Sequence, residues 1–278
     1  MTRLRALQPS GLVGLGLTIV LVGVALGADV LAPGDPFAAV AAPLMPPSRA
    51  HAFGTDDLGR DLASAVVHGA RTSLLVVGGA TLIAATIGVG VGHIAGYRPG
   101  PVDDLLMRAT EFVQVVPRFF LAVVTVAVAG AGLDRLIVVL GITSWPAIAR
   151  VVRAETLSLT SRDFVIAAHA LGAPSARVLV RHVLPHALPV TLVVISLNAA
   201  TVVLLEASLA FIGLGDPKAM SWGYLVHNAH HFFRAGWWLS FFPGAAIALA
   251  MLGLNLLADA LNDLLDPRAP RGSRRASR

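Results

Sequence analysis

Six apolar runs, each near twenty residues long, leave this chain few ways to fold. About 20 residues of helix cross the hydrocarbon of a bilayer, where every backbone N–H and C=O must be satisfied within the segment. The runs lie from Gly11 to about Ala32 and at roughly 72–95, 106–130, 133–154, 190–213 and 239–262. They predict an all-α polytopic membrane protein with six transmembrane helices and both ends on one side. Pro117 and Pro146 interrupt the third and fourth runs. With 56% hydrophobic and 13% charged residues among 278, the chain also lacks the polar surface of a soluble globule. Arg3 and Arg5 precede the first run, and Ala25-Leu26-Gly27 is a passable signal-peptide cleavage site. We take that run as a retained membrane helix. Residues 33–70 form a loop, Pro-rich at first and then rich in Asp and Gly.

Composition removes several chemistries. Cysteine is absent, which excludes disulfides, thiolate catalysis and Cys–metal sites. Lys218 is the only lysine, and D-P-K-A is not the G-x-x-x-x-G-K-[ST] that cradles nucleotide phosphates. If ATP drives this protein, a partner hydrolyses it. The net charge of +5 is no nucleic-acid footprint, because the arginines are spread through loops and tail without aromatic interleaving. They are better read as topology signals. Fourteen arginines flank the spans on the side of the two termini, and six Lys or Arg flank the other. That bias places the termini and the 163–189 loop in the cytoplasm. The tail from Arg268 to Arg278 is basic and of low complexity, expected disordered near an anionic lipid surface.

Between the fourth and fifth runs lies a polar, helix-forming stretch from Asp163 to Pro189. Asp163 can cap a short helix that Gly172 ends in a left-handed C′ position. Pro174 suits the first turn of a second helix, and Pro185 and Pro189 are expected to stop it. Arg177 and Arg181, four apart, share one face of that helix. Ala167, Ala168 and Leu171 give the first helix a small apolar knob. Such a pair of helices is either an ordinary loop or a docking element for a groove on another protein.

The spacing Ala167-Ala168, Gly172 and, nine residues on, His182-x-Leu184-Pro185 resembles the E-A-A loop of ABC-importer permeases. R-H-V-L-P is closest to the dipeptide, oligopeptide and nickel branch, C-type subunit. Here Ile166 stands where that motif usually opens with Glu, so its polar contact is absent or supplied elsewhere, with Asp163 the nearest carboxylate. G-T-D-x-x-G-R-D-x-x-S from Gly54, E-x-x-L-x-F-x-G-L-G from Glu206 with Trp222-Gly223 following, and Trp237-Trp238 through to Asp266-Pro267-Arg268 resemble further segments of the family in order. The resemblance implies a type I ABC-importer permease fold. Residues 1–70 would then be an N-terminal span and extracytoplasmic loop, and 71–267 the permease core with 163–189 as cytoplasmic coupling loop. It also implies peptide import with a homologous second permease, two ABC ATPase subunits and an extracytoplasmic binding protein. ATP and Mg would be bound by the partners, with no cofactor in this chain. Nickel or another small solute is the alternative cargo.

Other features admit two accounts each. Gly88, Gly92 and Gly96 form small-x-x-x-small steps, for packing within the chain or against another subunit. Asp56, Asp57, Arg60 and Asp61 can lock a helix start by capping and close ion pairs, or contact substrate. Glu206 lies late in the fifth run, and Glu111 and Arg118, seven apart in the third, are expected to share a helix face. Charges inside spans are costly. These three either pair structurally or line a translocation path, where Glu206 would meet a substrate amine. His227, His230 and His231 have spacings that can reach one metal ion, or belong to a solvated loop. A membrane-embedded metalloprotein built on them and a passive channel are the competing classes.

Overall fold

The computed structural model describes residues 9–265. Arg3, Arg5, Asp266-Pro267-Arg268 and the arginine-rich tail lie outside the described residues. Helices α1 (Pro9–Leu26), α2 (Ala28–Leu31), α3 (Leu62–Tyr97), α4 (Pro101–Val115), α5 (Arg118–Ala129) and α6 (Leu133–Thr160) form the first half. Then come α7 (Asp163–Ala170), α8 (Ser175–Val178), a π turn (Leu179–Val183), α9 (Leu184–Phe211), α10 (Trp222–Ala229), a 3₁₀ turn (His230–Phe232) and α11 (Trp238–Leu265). Five helical segments are long and apolar enough to cross a membrane: α1, α3, α6, the continuous Ser175–Phe211 and α11. The pair α4–α5 makes a sixth if counted as one broken span.

The break at Pro117 is as expected, while the stops at Pro185 and Pro189 are corrected. The third run is interrupted: α4 and α5 meet at 74°. Val116 is extended there (φ −88°, ψ 126°), as a residue before proline prefers, and Pro117 has no N–H to continue the ladder. Pro185 and Pro189, by contrast, do not end the helix before the fifth run. The π turn widens the backbone ahead of Pro185, and the Leu184 N–H reaches back to the Leu179 carbonyl. The wider turn accommodates a ring that would clash with a carbonyl four residues back. Pro189 lies inside α9, and Pro146 removes one hydrogen bond from α6 without ending it.

The glycine steps pack within the chain. A Cβ on Gly88, Gly92 or Gly96 would stand 2.8, 2.7 and 2.6 Å from atoms of Ile148, Val152 and Thr156 on α6. Close backbone approach is what small residues permit where apolar burial gives no driving force between helices. Val76, Ala80, Leu136, Leu140, Val202 and Val203 form the centre of the bundle. Asp103 and Arg153 tie α4 to α6 through two hydrogen bonds of 2.5 and 2.6 Å.

At one end of the bundle the loop before α3 folds into a compact cover. Thr55 Oγ1 donates to the Ala42 carbonyl and accepts from Met45 N–H. Asp61 caps α3 by accepting from Ser64 N–H at 2.8 Å, and its other oxygen meets His51. Burial pushes the Asp56 carboxyl above its ordinary range, against the pull of the Arg60 and Leu58 amides that it accepts from. Phe53 stacks on Phe242 of α11 at 3.9 Å, fastening the cover to the last span. Within the acidic and glycine-rich segment, Asp56, Arg60 and Asp61 are thus engaged in contacts that hold the start of α3.

Candidate functional site

The elbow between α6 and α9 stands at the opposite end. Asp163 does not cap α7: Arg162 holds the cap position with extended backbone and no side-chain bond, and Asp163 is the first helical residue. Its charge still suits the positive end of the helix dipole. Gly172 ends the helix as expected, at φ +79°. Its N–H bonds to the His169 carbonyl and that of Ala173 to the Ala168 carbonyl, at 2.9 and 3.1 Å. That is the two-bond Schellman stop, which favours glycine. Pro174 sits one position earlier than expected, as the cap of α8. The same stop closes α9, where Gly213 (φ +84°) bonds to the Ala210 carbonyl and Leu214 to that of Leu209.

Val165 turns inward onto Val178, Val183, Ala187 and Leu159, with Ala168 half-buried against them. Ala168 therefore belongs in part to the inner face, not to an outward knob. Ile166, Ala167, Ala170 and Leu171 point away, Leu171 being 89% exposed. Arg177, Arg181 and Pro185 are exposed, while His182 and Leu184 are half-buried. Two contacts hold the elbow to the bundle. Tyr97 Oη lies 3.1 Å from His169 Nε2, and the Phe164 ring sits 4.8 Å from that of His186. Neither was visible in the sequence, since Tyr97 and His169 are 72 residues apart and only the fold brings them together.

Glu206 is 1% exposed between α3 and α10. Ser73 Oγ donates to it at 3.3 Å and accepts from the Trp222 backbone N–H at 3.2 Å, with Ser221 beside it. A Cβ on Gly223 would stand 2.6 Å from that of Ala210, so the residues Glu206, Gly213, Trp222 and Gly223 fold α10 back onto α9. Glu111 and Arg118 do not share a helix face: Glu111 is exposed on α4 and Arg118 opens α5 beyond the bend. The three loop histidines do not converge either. His227 Nδ1 donates to the Phe211 carbonyl at 2.6 Å, His230 Nδ1 donates to the His227 carbonyl, and the rings of His230 and His231 lie 3.7 Å apart, tilted by 40°. Among the described residues no three His, Asp or Glu side chains gather as metal ligands.

Residues 88–271 match the family model described as a binding-protein-dependent transport system inner membrane component. The oligopeptide transport system permease protein OppC of Bacillus subtilis is 37% identical over 80% of this chain and 73% of its own length. A putative peptide transport system permease protein of Brucella suis is 38% identical over 92% of this chain and 87% of its own. Among solved structures, an inward-facing form of the MetNI methionine ABC transporter overlays with a TM-score of 0.61 at 20% identity, covering 73% of this chain and 96% of that one. The fold is thus that of an ABC-importer permease, a multi-pass arrangement with an elbow between two long helices. The chain belongs to the family of binding-protein-dependent transport system inner membrane components.

Proposed function

We propose that this chain is the peptide-conducting permease subunit of an ATP-driven importer. It would work with a homologous second permease, two ABC ATPase subunits and an extracytoplasmic binding protein. The observation that carries the reading is the elbow: a rigidly terminated eight-residue helix with Leu171 89% exposed, projecting beyond the spans. The names of the relatives favour peptides over nickel as cargo. The excess of arginine on the elbow's side supports a cytoplasmic elbow and cytoplasmic termini.

In this reading Ala167, Leu171, Gly172, Arg177 and Arg181 meet the ATPase. Ala168, His182, Leu184 and Pro185 fix the angle of the elbow. ATP, with Mg, closes the ATPase pair, and the elbow moves with it. The spans then switch from inward- to outward-facing, and hydrolysis resets them. A peptide drives that switch only to the extent that it binds the two states differently. Glu206, Glu111 and Arg118 are the candidate path residues, Glu206 after release from its seat.

The test uses the cysteine-free background. Leu171→Cys in the assembled complex should cross-link to an ATPase subunit, and Leu171→Asp should abolish peptide uptake at normal membrane abundance. Unchanged uptake by Leu171→Asp would remove the elbow from the mechanism.

A further inference from the structure

On the rim opposite the elbow, where α9 ends and α11 begins, we infer a binding surface for anionic phospholipid. Phe233, Trp237 and Phe241 are 68%, 57% and 57% exposed. Trp237 and Phe241 lie edge to face at 5.6 Å, and Phe211, the last residue of α9, meets the His230 ring at 5.9 Å. His230, His231 and Arg234 are exposed in the turn that leads into α11. Open aromatic rings therefore stand beside side chains that carry no negative charge. From Pro217 to Ala258 the sequence holds no Asp or Glu at all. Arg234 forms no ion pair among the described residues.

Depth decides what covers such a rim. α11 has 28 residues, about 42 Å at the rise of a helix, while about 20 residues cross the hydrocarbon. Its far end carries Asp259, Asn262 and Asp263, which are costly in hydrocarbon, so the crossing stretch starts close to Trp238. The fifth apolar run ends at the same level, at about residue 213, just past Phe211. Phe241 is then one turn inside the hydrocarbon, Trp237 at its edge, and Phe233 and Arg234 in the headgroup layer. Trp at that depth and a cation just outside it are what a headgroup surface attracts. A soluble protein arriving from the water would cover Arg234 and leave Phe241 bare. A zwitterionic lipid offers a phosphate but brings its own cation beside Arg234. A headgroup such as phosphatidylglycerol brings the phosphate alone, and its acyl chains lie along Phe241.

The purified permease complex in phosphatidylcholine nanodiscs tests this. Phe233→Cys, in a chain with no other cysteine, is labelled with a fluorophore that nitroxides quench, and the complex of the cysteine-free parent is the blank for the partners. Nitroxide-labelled phosphatidylglycerol should occupy the rim about fivefold better than nitroxide-labelled phosphatidylcholine, the preference one surface arginine supplies. Added salt should reduce that preference by screening. Arg234→Ala should bring the two lipids level, and Arg234→Lys should keep most of the difference. Equal quenching by the two lipids with Arg234 in place would overturn the anionic site. Absence of quenching by either would show a rim covered by protein, the second permease included, and would also sink it. Quenching abolished by adding the binding protein would turn the rim into a protein docking surface instead. Phe241→Cys, labelled in the same way, should be quenched more by a nitroxide set deeper on the acyl chain than by one at the headgroup. The reverse order would undo the depth assignment, and the lipid site with it.

Discussion

Gly172 adopts φ +79° with nothing within 4 Å of the place a Cβ would take. Conformational strain, not a clash, therefore decides what can replace it. Ala there costs about 1 kcal/mol, a β-branched Val more, and Asn least, since its side chain tolerates the left-handed region. Uptake per inserted permease should fall in the order Asn, Ala, Val at equal membrane abundance, measured by peptide uptake against immunoblot. Ser73 presents the opposite case, a residue serving two partners at once. Ser73→Ala leaves both the Trp222 N–H and Glu206 short of a bond and should cost about 1–3 kcal/mol in thermal unfolding in detergent. The stop at Gly172 was legible in sequence because it is made within six residues. The seat of Glu206 was not, because Ser73 lies 133 residues away. Asp163 misled for a local reason: the chain enters α7 one residue earlier than a carboxylate cap would require.

α3 presents a close-packed and an open side, and its glycines divide accordingly. Gly92→Val would drive a side chain into the Ala149 carbonyl and Val152, at 2.7 Å for the Cβ alone. It should prevent stable accumulation in the membrane. Gly90, with open space around it, should accept Ala and gain up to about 1 kcal/mol of helix propensity. Pulse-chase abundance of the two variants compares them directly. Between α4 and α6, Arg153→Gln would strand the 5%-exposed Asp103 and cost about 3 kcal/mol, whereas removing both charges costs less. A double-mutant cycle by thermal melting in detergent separates the two. The glycine stripe was legible because its period is that of a helix face. The break at Pro117 was legible too, but the passage through Pro185 was not, since one proline rule met two different surroundings: an extended residue before one, a π turn before the other.

As a whole, the molecule divides its tasks between two ends. A compact cover fastened by Asp61, Thr55 and Phe53 closes one, and a projecting elbow ends the other. Between them α3 and α6 interlock through glycine, so the bundle gains rigidity where the ends differ in role. The isolated chain should hydrolyse no ATP, since its single Lys218 sits outside any glycine-rich phosphate loop. Phosphate release by purified permease, compared with the assembled complex, checks this. Run length made the order of the spans legible, with the third one broken. Which faces meet was not legible, because contacts such as Tyr97 with His169 exist only after the spans have packed.

The continuous helix from Ser175 to Phe211 offers a shaft between the elbow and Glu206, softened near the elbow by the π turn and Pro189. Glu206 sits about 45 Å from the elbow end at the rise of a helix. Its carboxylate rides about 6 Å off the axis, so twisting the shaft through about ten degrees sweeps it by about 1 Å. The bond to Ser73, at 3.3 Å, already lies near the outer limit of a hydrogen bond. On the proposed coupling role, a rotation of that size at the elbow would stretch the Ser73–Glu206 bond past that limit, with no translation of any span.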